Sequence, residues 1–205
     1  IARGGFLTAL TYRISNHKIN AGFWYEYGNF TTSRTFSEAP LLGEGTLGNP
    51  TDGYPSSSVF ATAWQERFTS NTYDFHLQDT WQVLKHLTIN AGFKSMVVNQ
   101  GNSVPVQNLA INGAQIAQGR LQAANAFLPQ VSANWHFLPH HELFFDVSHN
   151  MRSYPEDGFG TNISVTPWTS SQKAFQSTRS TLRPETDWVY EGGYRYTSPL
   201  ISALA

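Results

Sequence analysis

Hydrophobic and polar residues alternate along most of this chain, in segments joined by turns of two very different lengths. Short turns fall at Asn16-His17, Leu84-Lys85-His86, Leu138 to His141 and Thr197-Ser198-Pro199. Long polar stretches cover approximately residues 31–62, 100–126 and 153–185. Alternation with a period of two predicts β-strands with one apolar face. Tight turns at one end of each hairpin and long loops at the other indicate an outer-membrane β-barrel.

Seven segments carry the alternation, and an eighth begins near Leu200. They are Phe6 to Ser15, Ile19 to Gly28, Asn71 to Val83, Leu87 to Asn99, Gln130 to Phe137, Leu143 to Asn150 and Tyr190 to Tyr196. Successive side chains point to opposite faces of a strand, so each segment has one face for lipid and one for the lumen. We therefore expect an all-β fold, a fragment of an antiparallel up-and-down transmembrane β-barrel with about seven to eight strands. Its open, curved sheet should carry the short turns on one rim and the long loops on the other.

Composition narrows the class of protein. Charged residues make up 13% of the chain, against about a quarter in soluble domains, while aromatic residues reach 14%. No apolar run approaches the roughly 20 residues of a spanning helix, which excludes a helical membrane protein. There are no cysteines, so disulfides and thiolate metal sites are excluded. A net charge of -1 without a basic patch gives no sign of a nucleic-acid partner.

Two sets of residues follow from the alternation. The charged or titratable residues predicted to line the lumen are Glu26, Asp74, His76, Lys94 and Arg195. Aromatic residues near the short turns predict a membrane-interface girdle of Tyr12, Trp81, Trp135, Tyr194 and Tyr196. Trp24 is expected as an aromatic on the lumen face. Asp79 falls on the apolar face, which is tolerable only near the lipid headgroups.

The long loops are the candidates for ligand binding, because a rigid scaffold commonly displays its binding residues there. The third loop holds the predicted ligand-binding residues Tyr154, Phe159, Trp168, Lys173, Phe175 and Arg179. Exposed aromatics would stack on a sugar or on a catechol or porphyrin ring, and the cations would meet a carboxylate. For each single aromatic, packing of the loop against its neighbours is the competing interpretation.

Patterns typical of enzymes fail on their local context. The sequence Gly43-Glu44-Gly45-Thr46-Leu47-Gly48 lies between prolines and not between a strand and a helix, which favours a loop over a dinucleotide site. Ser148 and His149 are neighbours on one strand and point apart, so they cannot form a catalytic pair. His140-His141 lies in a turn without a carboxylate cluster. The sequence therefore predicts no enzyme, no cofactor and no metal site.

Three segments resemble a known family in their order and spacing. Phe75-His76-Leu77-Gln78-Asp79-Thr80-Trp81 followed by Leu87-Thr88-Ile89-Asn90-Ala91-Gly92-Phe93 is similar to a recurrent hairpin of TonB-dependent outer-membrane receptors. Phe127-Leu128-Pro129-Gln130-Val131, with the later His141-Glu142-Leu143-Phe144 and Asn150-Met151-Arg152, resembles the family's next hairpin. Leu182-Arg183-Pro184-Glu185-Thr186 and Tyr190-Glu191-Gly192-Gly193-Tyr194-Arg195-Tyr196 resemble a following strand.

The resemblance implies an internal fragment of a barrel of about 22 strands with a plugged lumen. Residues 1–205 would be one partial barrel domain, without the family's plug domain or C-terminal strand. It also implies energised uptake of a scarce, bulky ligand, with outer-membrane lipid and the TonB complex as partners, the latter through the plug. The ligand stays open among a siderophore-iron chelate, haem, cobalamin and an oligosaccharide. A passive porin-like barrel and a soluble carbohydrate-binding β-module remain as alternatives.

Overall fold

A computed structural model describes residues 1–37, 59–112, 115–156, 167–169, 171–199 and 202–204. Within these ranges the chain forms one sheet of eight strands, in which every strand pairs antiparallel with its neighbours in sequence. The strands are β1 (Ala2–Ile14), β2 (His17–Ser37), β3 (Val59–Leu84), β4 (Leu87–Gln107), β5 (Gly119–Leu138), β6 (His141–Arg152), β7 (Glu185–Thr197) and β8 (Ser202–Leu204). The predicted all-β, up-and-down open sheet is confirmed.

All seven predicted strands are longer than the sequence predicted, and β2 to β5 are extended the most. β2 continues to Ser37, β3 begins at Val59, β4 continues to Gln107 and β5 begins at Gly119. The predicted loop ranges 31–62 and 100–126 therefore include strand residues at both of their ends. The reason is that alternation marks a strand only where its two faces meet different surroundings. Beyond the apolar band, β2 consists largely of Thr, Ser and Arg, and its β-branched threonines still favour an extended backbone.

The strand register confirms which residues share a face. Phe23 lies opposite Phe75, Leu77 opposite Phe93 and Leu143 opposite Trp135, and these apolar residues belong to the face that we call the outer face. Trp24 lies opposite Asp74, His76 opposite Lys94 and Asn90 opposite Ser132 on the other face, which we call the inner face. Directly opposed residues always project from the same side of a sheet. That the inner face lines the lumen stays a prediction.

The short turns lie on one rim and bond to the neighbouring hairpins. Two of them contain residues with positive φ, Ser15 at 54° and His140 at 69°. Asn16 exchanges hydrogen bonds with the backbone of Gln82, donating through Nδ2 at 2.9 Å and accepting the Gln82 N–H at 2.8 Å. The His136 N–H donates to the His86 carbonyl, and the Thr197 N–H donates to the His140 carbonyl. Each turn on this rim is thus tied to the next hairpin along the sheet.

The polarity of the two faces reverses along the strands. In the half near the short turns, the outer face is apolar, whereas Gln78, Asn90 and Gln130 project from the inner face. In the far half, the inner face buries Phe68, Val98, Leu121 and Ala123, while the outer face carries Arg67, Thr69, Asn99 and Arg120. On β3 the apolar outer positions run from Trp81 to Tyr73, a length of nine residues. A tilted strand needs about 9–11 residues to cross a bilayer.

Within the described residues, three short helical segments lie outside the sheet, and the two that contain Trp168 and Phe175 pack on the inner face of its far half. α1 (Leu109–Asn112) follows β4, a 3-10 turn covers Pro167–Thr169, and α2 (Gln172–Thr178) precedes β7. Ser171 caps α2 by accepting the Ala174 N–H through its hydroxyl at 3.2 Å. The sequence prediction contained no helices. Among the described helices, none is long and apolar enough to span a membrane.

The two faces predict opposite responses to an introduced charge. In the full-length protein, Phe93→Arg or Leu143→Arg should cost about 2–4 kcal/mol if the site is near the bilayer midplane. Asn90→Arg, on the inner face of the same strand as Phe93, should cost much less because its neighbours are polar. Heat-modifiability of each variant in outer membranes measures assembly. Failure of Asn90→Arg together with normal assembly of Phe93→Arg would show that the faces are inverted.

Candidate ligand-facing surface

Two close ion pairs within the wall hold four of the ionic groups on the inner face. Arg3 Nη2 lies 2.6 Å from Glu26 Oε1, and Arg195 Nη1 lies 2.8 Å from Glu142 Oε2. The Arg195 guanidinium also lies over the Phe144 ring, 5.3 Å from its centroid. Two of the five predicted lumen residues, Glu26 and Arg195, therefore already have partners from neighbouring strands. Charge pairs of this kind fix the wall and leave little of their charge for a ligand.

The other three predicted residues lie together at the middle of the wall. His76 shares a 2.8 Å hydrogen bond with Asn20 Oδ1, and its ring occupies the space that a Cβ at Gly22 would fill. Asp74 is mostly buried. Lys94, opposite His76, is exposed. On the short-turn side of Lys94, a shallow groove crosses β3 to β6. Most of its polar lining consists of neutral amides and hydroxyls, those of Gln78, Asn90, Gln130, Ser148 and Asn150.

Three of the four aromatics predicted to bind ligand are buried. Tyr154 is 7%, Trp168 1% and Phe175 0% exposed, within a cluster that includes Phe68 and Leu121. Burial also raises the pKa of the Tyr154 phenol, and the nearby Arg183 opposes this shift. These three rings pack the third loop onto the sheet, so the packing interpretation describes them better than stacking on a ligand. Phe159 lies outside the described residues.

The two predicted cations of this loop differ from the aromatics. Lys173 and Arg179 are exposed on and just after α2. Phe175, two residues from Lys173, faces the opposite way into the core, where its ring takes the space of a Cβ at Gly119. The backbone of Gly119 has a φ of 155°, so only glycine fits this position easily. A ligand-binding role for Lys173 and Arg179 stays a prediction.

Side-chain amides clamp this loop to the strands. Gln100 accepts the Tyr154 N–H at 3.0 Å and donates to the Tyr154 carbonyl at 2.7 Å. Gln172 repeats the pattern on the backbone of Gln118, accepting at 2.6 Å and donating at 3.1 Å. Trp168 Nε1 donates to the Gly119 carbonyl at 3.0 Å. Because each clamp satisfies a backbone donor and acceptor together, the loop is held by the strands without help from a ligand.

A polar hollow remains open on the inner face, between β1–β3 and the start of the third loop. It is lined by Arg3, Glu26, Ser70, Thr72, Gln100, Arg152, Tyr154 and Glu156. Arg152 is exposed, and its nearest carboxylate, on Glu185, lies 4.0 Å away, beyond hydrogen-bond distance. The N–H groups of its guanidinium therefore remain available to bond a molecule in the hollow. Neither Arg3 nor Arg152 was predicted as a site residue, because the alternation along their strands does not show that the two residues lie at one hollow.

The predicted girdle residues lie at the short-turn end of the outer face. Tyr12 lies opposite Ile19, Trp81 opposite Ile89 and Trp135 opposite Leu143. Tyr194 and Tyr196 both pack against His141. A second aromatic row, which the sequence analysis did not predict, lies eight to eleven residues from the short turns and includes Tyr25, Tyr27, Tyr73 and Trp188. Two rows bounding one apolar band are typical of a transmembrane barrel.

Asp79 is tolerated on the outer face because a histidine pairs with it. His17 Nδ1 lies 2.6 Å from Asp79 Oδ2, and the His17 ring stacks on Trp81 at 5.4 Å. The second oxygen, Oδ1, is buried and has no hydrogen-bond partner among the described residues. The sequence analysis placed His17 in the turn and so missed this pair.

The sequence matches the model of a protein family over almost its whole length. The model described as TonB dependent receptor-like, beta-barrel matches residues 3–204. The chain belongs to this family. Barrels of TonB-dependent receptors are outer-membrane proteins of Gram-negative bacteria, which agrees with the two aromatic rows and the apolar outer face.

A solved structure has the same fold. The chain aligns with the ferric citrate transporter FecA in its unliganded form, with a TM-score of 0.53 and 15% identity over 96% of this chain. The match covers 26% of the FecA chain, so this chain spans about a quarter of that protein. At this identity the likeness shows the TonB-dependent receptor barrel fold and not the ligand. No curated protein matches the sequence.

Truncation of Phe175 tests how the third loop of this receptor fragment is held. Phe175→Ala removes a fully buried ring, a change that typically costs about 3–5 kcal/mol. We expect faster hydrogen exchange in α2 and at the start of β5 in the full-length receptor. Lys173→Ala, an exposed change on the same helix, is the control. Unchanged exchange in Phe175→Ala would mean that the amide clamps alone fix the loop.

The Asp79 pair gives a second test. His17→Phe removes the partner of Oδ2, and the loss of a typical hydrogen bond costs about 0.5–1.5 kcal/mol. The double variant His17→Phe/Asp79→Leu removes the carboxylate as well and should recover most of that loss. Urea unfolding of the full-length receptor in lipid measures both variants. Equal destabilisation of the single and double variants would contradict a pairing role for His17.

Proposed function

We propose that this chain forms part of the barrel wall of an energised uptake receptor for a scarce, bulky ligand. The observation that carries the proposal is the polar inner face, with its open hollow, on a wall of the TonB-dependent receptor family. Energy comes from the TonB complex of the inner membrane, which acts through a plug domain inside the barrel. The wall contributes the ligand-facing surface, and the outer membrane is its location.

The donors of the hollow favour an oxygen-rich ligand. Arg152, Ser70 and Thr72 present guanidinium and hydroxyl groups, which suit the carboxylates and hydroxyls of an iron chelate or an oligosaccharide. The FecA likeness supports an iron chelate as the first ligand to test. Haem and cobalamin place large rings against a site, whereas Tyr154, Trp168 and Phe175 of the third loop are buried here.

Removal of the Arg152 guanidinium should weaken ligand binding. A hydrogen bond to a charged group is worth about 1.5–3 kcal/mol, so Arg152→Gln should raise the Kd by about tenfold or more. Binding of radiolabelled ferric citrate to cells that carry the full-length receptor measures this. Lys85→Gln, an exposed cation in the short turn between β3 and β4, is the matched control. If ferric citrate does not bind, the same variants apply to other iron chelates and to oligosaccharides.

Uptake separates an energised receptor from a passive barrel. Deletion of TonB should abolish uptake while binding at the cell surface persists. Uptake that continues without TonB would identify a porin-like barrel instead. Recovery of the full-length protein in the soluble fraction would favour the soluble carbohydrate-binding module.

A further inference from the structure

The outer face carries an arginine patch just beyond the second aromatic row. It consists of Arg67, Thr69, Asn71, Asn99, Arg120 and Gln122, which lie on β3, β4 and β5. The register places Thr69 opposite Gly101 and Gly101 opposite Arg120, and likewise Asn71, Asn99 and Gln122 in one row. Most of these residues line one shallow hollow with Gly101 at its floor. A Cβ at Gly101 would lie only 2.9 Å from Arg120 Cγ, so the glycine lets the arginine stem lie flat across β4.

The patch is an excess of positive charge. Arg67 and Arg120 are both exposed. Within the described ranges, neither guanidinium takes part in an ion pair or hydrogen bond. The outer-face positions of β2 to β5 beyond the second aromatic row contain no Asp or Glu in the part of the chain that is described. The nearest buried carboxylate in sequence, Glu66, has the opposite parity and is on the inner face.

The amides of the patch also present donors. Asn71 Oδ1 accepts the Tyr25 hydroxyl at 2.9 Å, and Asn99 Oδ1 accepts Gln122 Nε2 at 2.8 Å. Both asparagine oxygens are therefore occupied, which leaves the Nδ2 groups to face outward. Two guanidinium groups and two amide donors, without a competing carboxylate, are suited to phosphate and sugar oxygens.

The position of the arginine patch relative to the second aromatic row indicates which kind of molecule binds it. The outer face of this wall contacts lipid between its two aromatic rows, and such rows lie at the headgroup level. Asn71 lies two residues beyond Tyr73 on the same face of β3, which is about 7 Å along the strand. The patch is therefore continuous with the lipid-facing band and begins where the headgroups of the leaflet on the long-loop side are found.

We infer that the arginine patch binds the anionic headgroup of a phosphorylated glycolipid in that leaflet. Arg67 and Arg120 bond the phosphates, and the asparagine amides bond neighbouring sugar oxygens. The lipid would bind the far half of the wall, where the apolar band has ended and the outer face is polar. This inference requires an outer-membrane location but is independent of the ligand that the receptor carries.

Binding of lipopolysaccharide to the delipidated full-length receptor tests the inference. The double variant Arg67→Gln/Arg120→Gln should bind deep-rough lipopolysaccharide at least about tenfold more weakly than the wild type, as seen by native mass spectrometry. The control Arg13→Gln/Lys18→Gln removes two opposed cations from the other end of the sheet and should bind like the wild type. Enzymatically dephosphorylated lipopolysaccharide should bind the wild type and the Arg67/Arg120 double variant equally weakly.

Three results would overturn the inference. One is wild-type affinity in the Arg67→Gln/Arg120→Gln variant, and another is an equal loss in the Arg13→Gln/Lys18→Gln control. The third is equally tight binding of the dephosphorylated glycolipid to the wild type, which would remove phosphate from the recognition. Heat-modifiability confirms that each variant is assembled. If the double variant fails to assemble, salt provides the test on the wild type. Added salt must then weaken binding of the phosphorylated lipopolysaccharide but not of the dephosphorylated one, since screening acts on charge pairs.

Discussion

Backbone N–H and C=O groups inside a bilayer have no water to bond, so every strand that crosses it must be paired along its length. In this chain each strand from β1 to β7 is hydrogen-bonded to the next by an antiparallel ladder, and β2 to β5, with 20 to 26 residues each, are long enough to extend well past the membrane. The ladder fixes the register, and the register fixes the face of every side chain. The lumen candidates, the girdles and the arginine patch are all consequences of that parity.

The reversal of polarity along the strands explains why one sheet performs two tasks. Near the short turns the outer residues are apolar and the inner residues are polar, as expected of a wall between lipid and an aqueous interior. In the far half the outer face is polar, and the inner face becomes the base of a small core. Phe68 and Trp168 meet there at 5.6 Å in an edge contact. The third loop therefore packs like a soluble domain on a membrane-protein frame.

The topology and the residues that share each face could be predicted from the sequence because both depend on a period of two, whereas the membrane-interface role of the aromatic row near the short turns stays a prediction. The sequence prediction shortened β2 to β5 the most, since both faces of a strand become polar on the outer side or buried on the inner side once the strand leaves the membrane. The sequence left open whether Tyr154, Trp168 and Phe175 contact a ligand or pack the loop, because a loop without periodicity gives no sign of its packing partner. His17 and Asp79 lie 62 residues apart, and only the register of β2 against β3 brings them together.

The contacts between neighbouring turns have a consequence for biogenesis. Asn16 bonds to Gln82, His86 to His136 and His140 to Thr197, so each hairpin is fastened to its successor at the closed end. A hairpin that pairs in the wrong register leaves these rim groups without their partners. The rim bonds therefore favour the correct register separately at each junction between neighbouring hairpins.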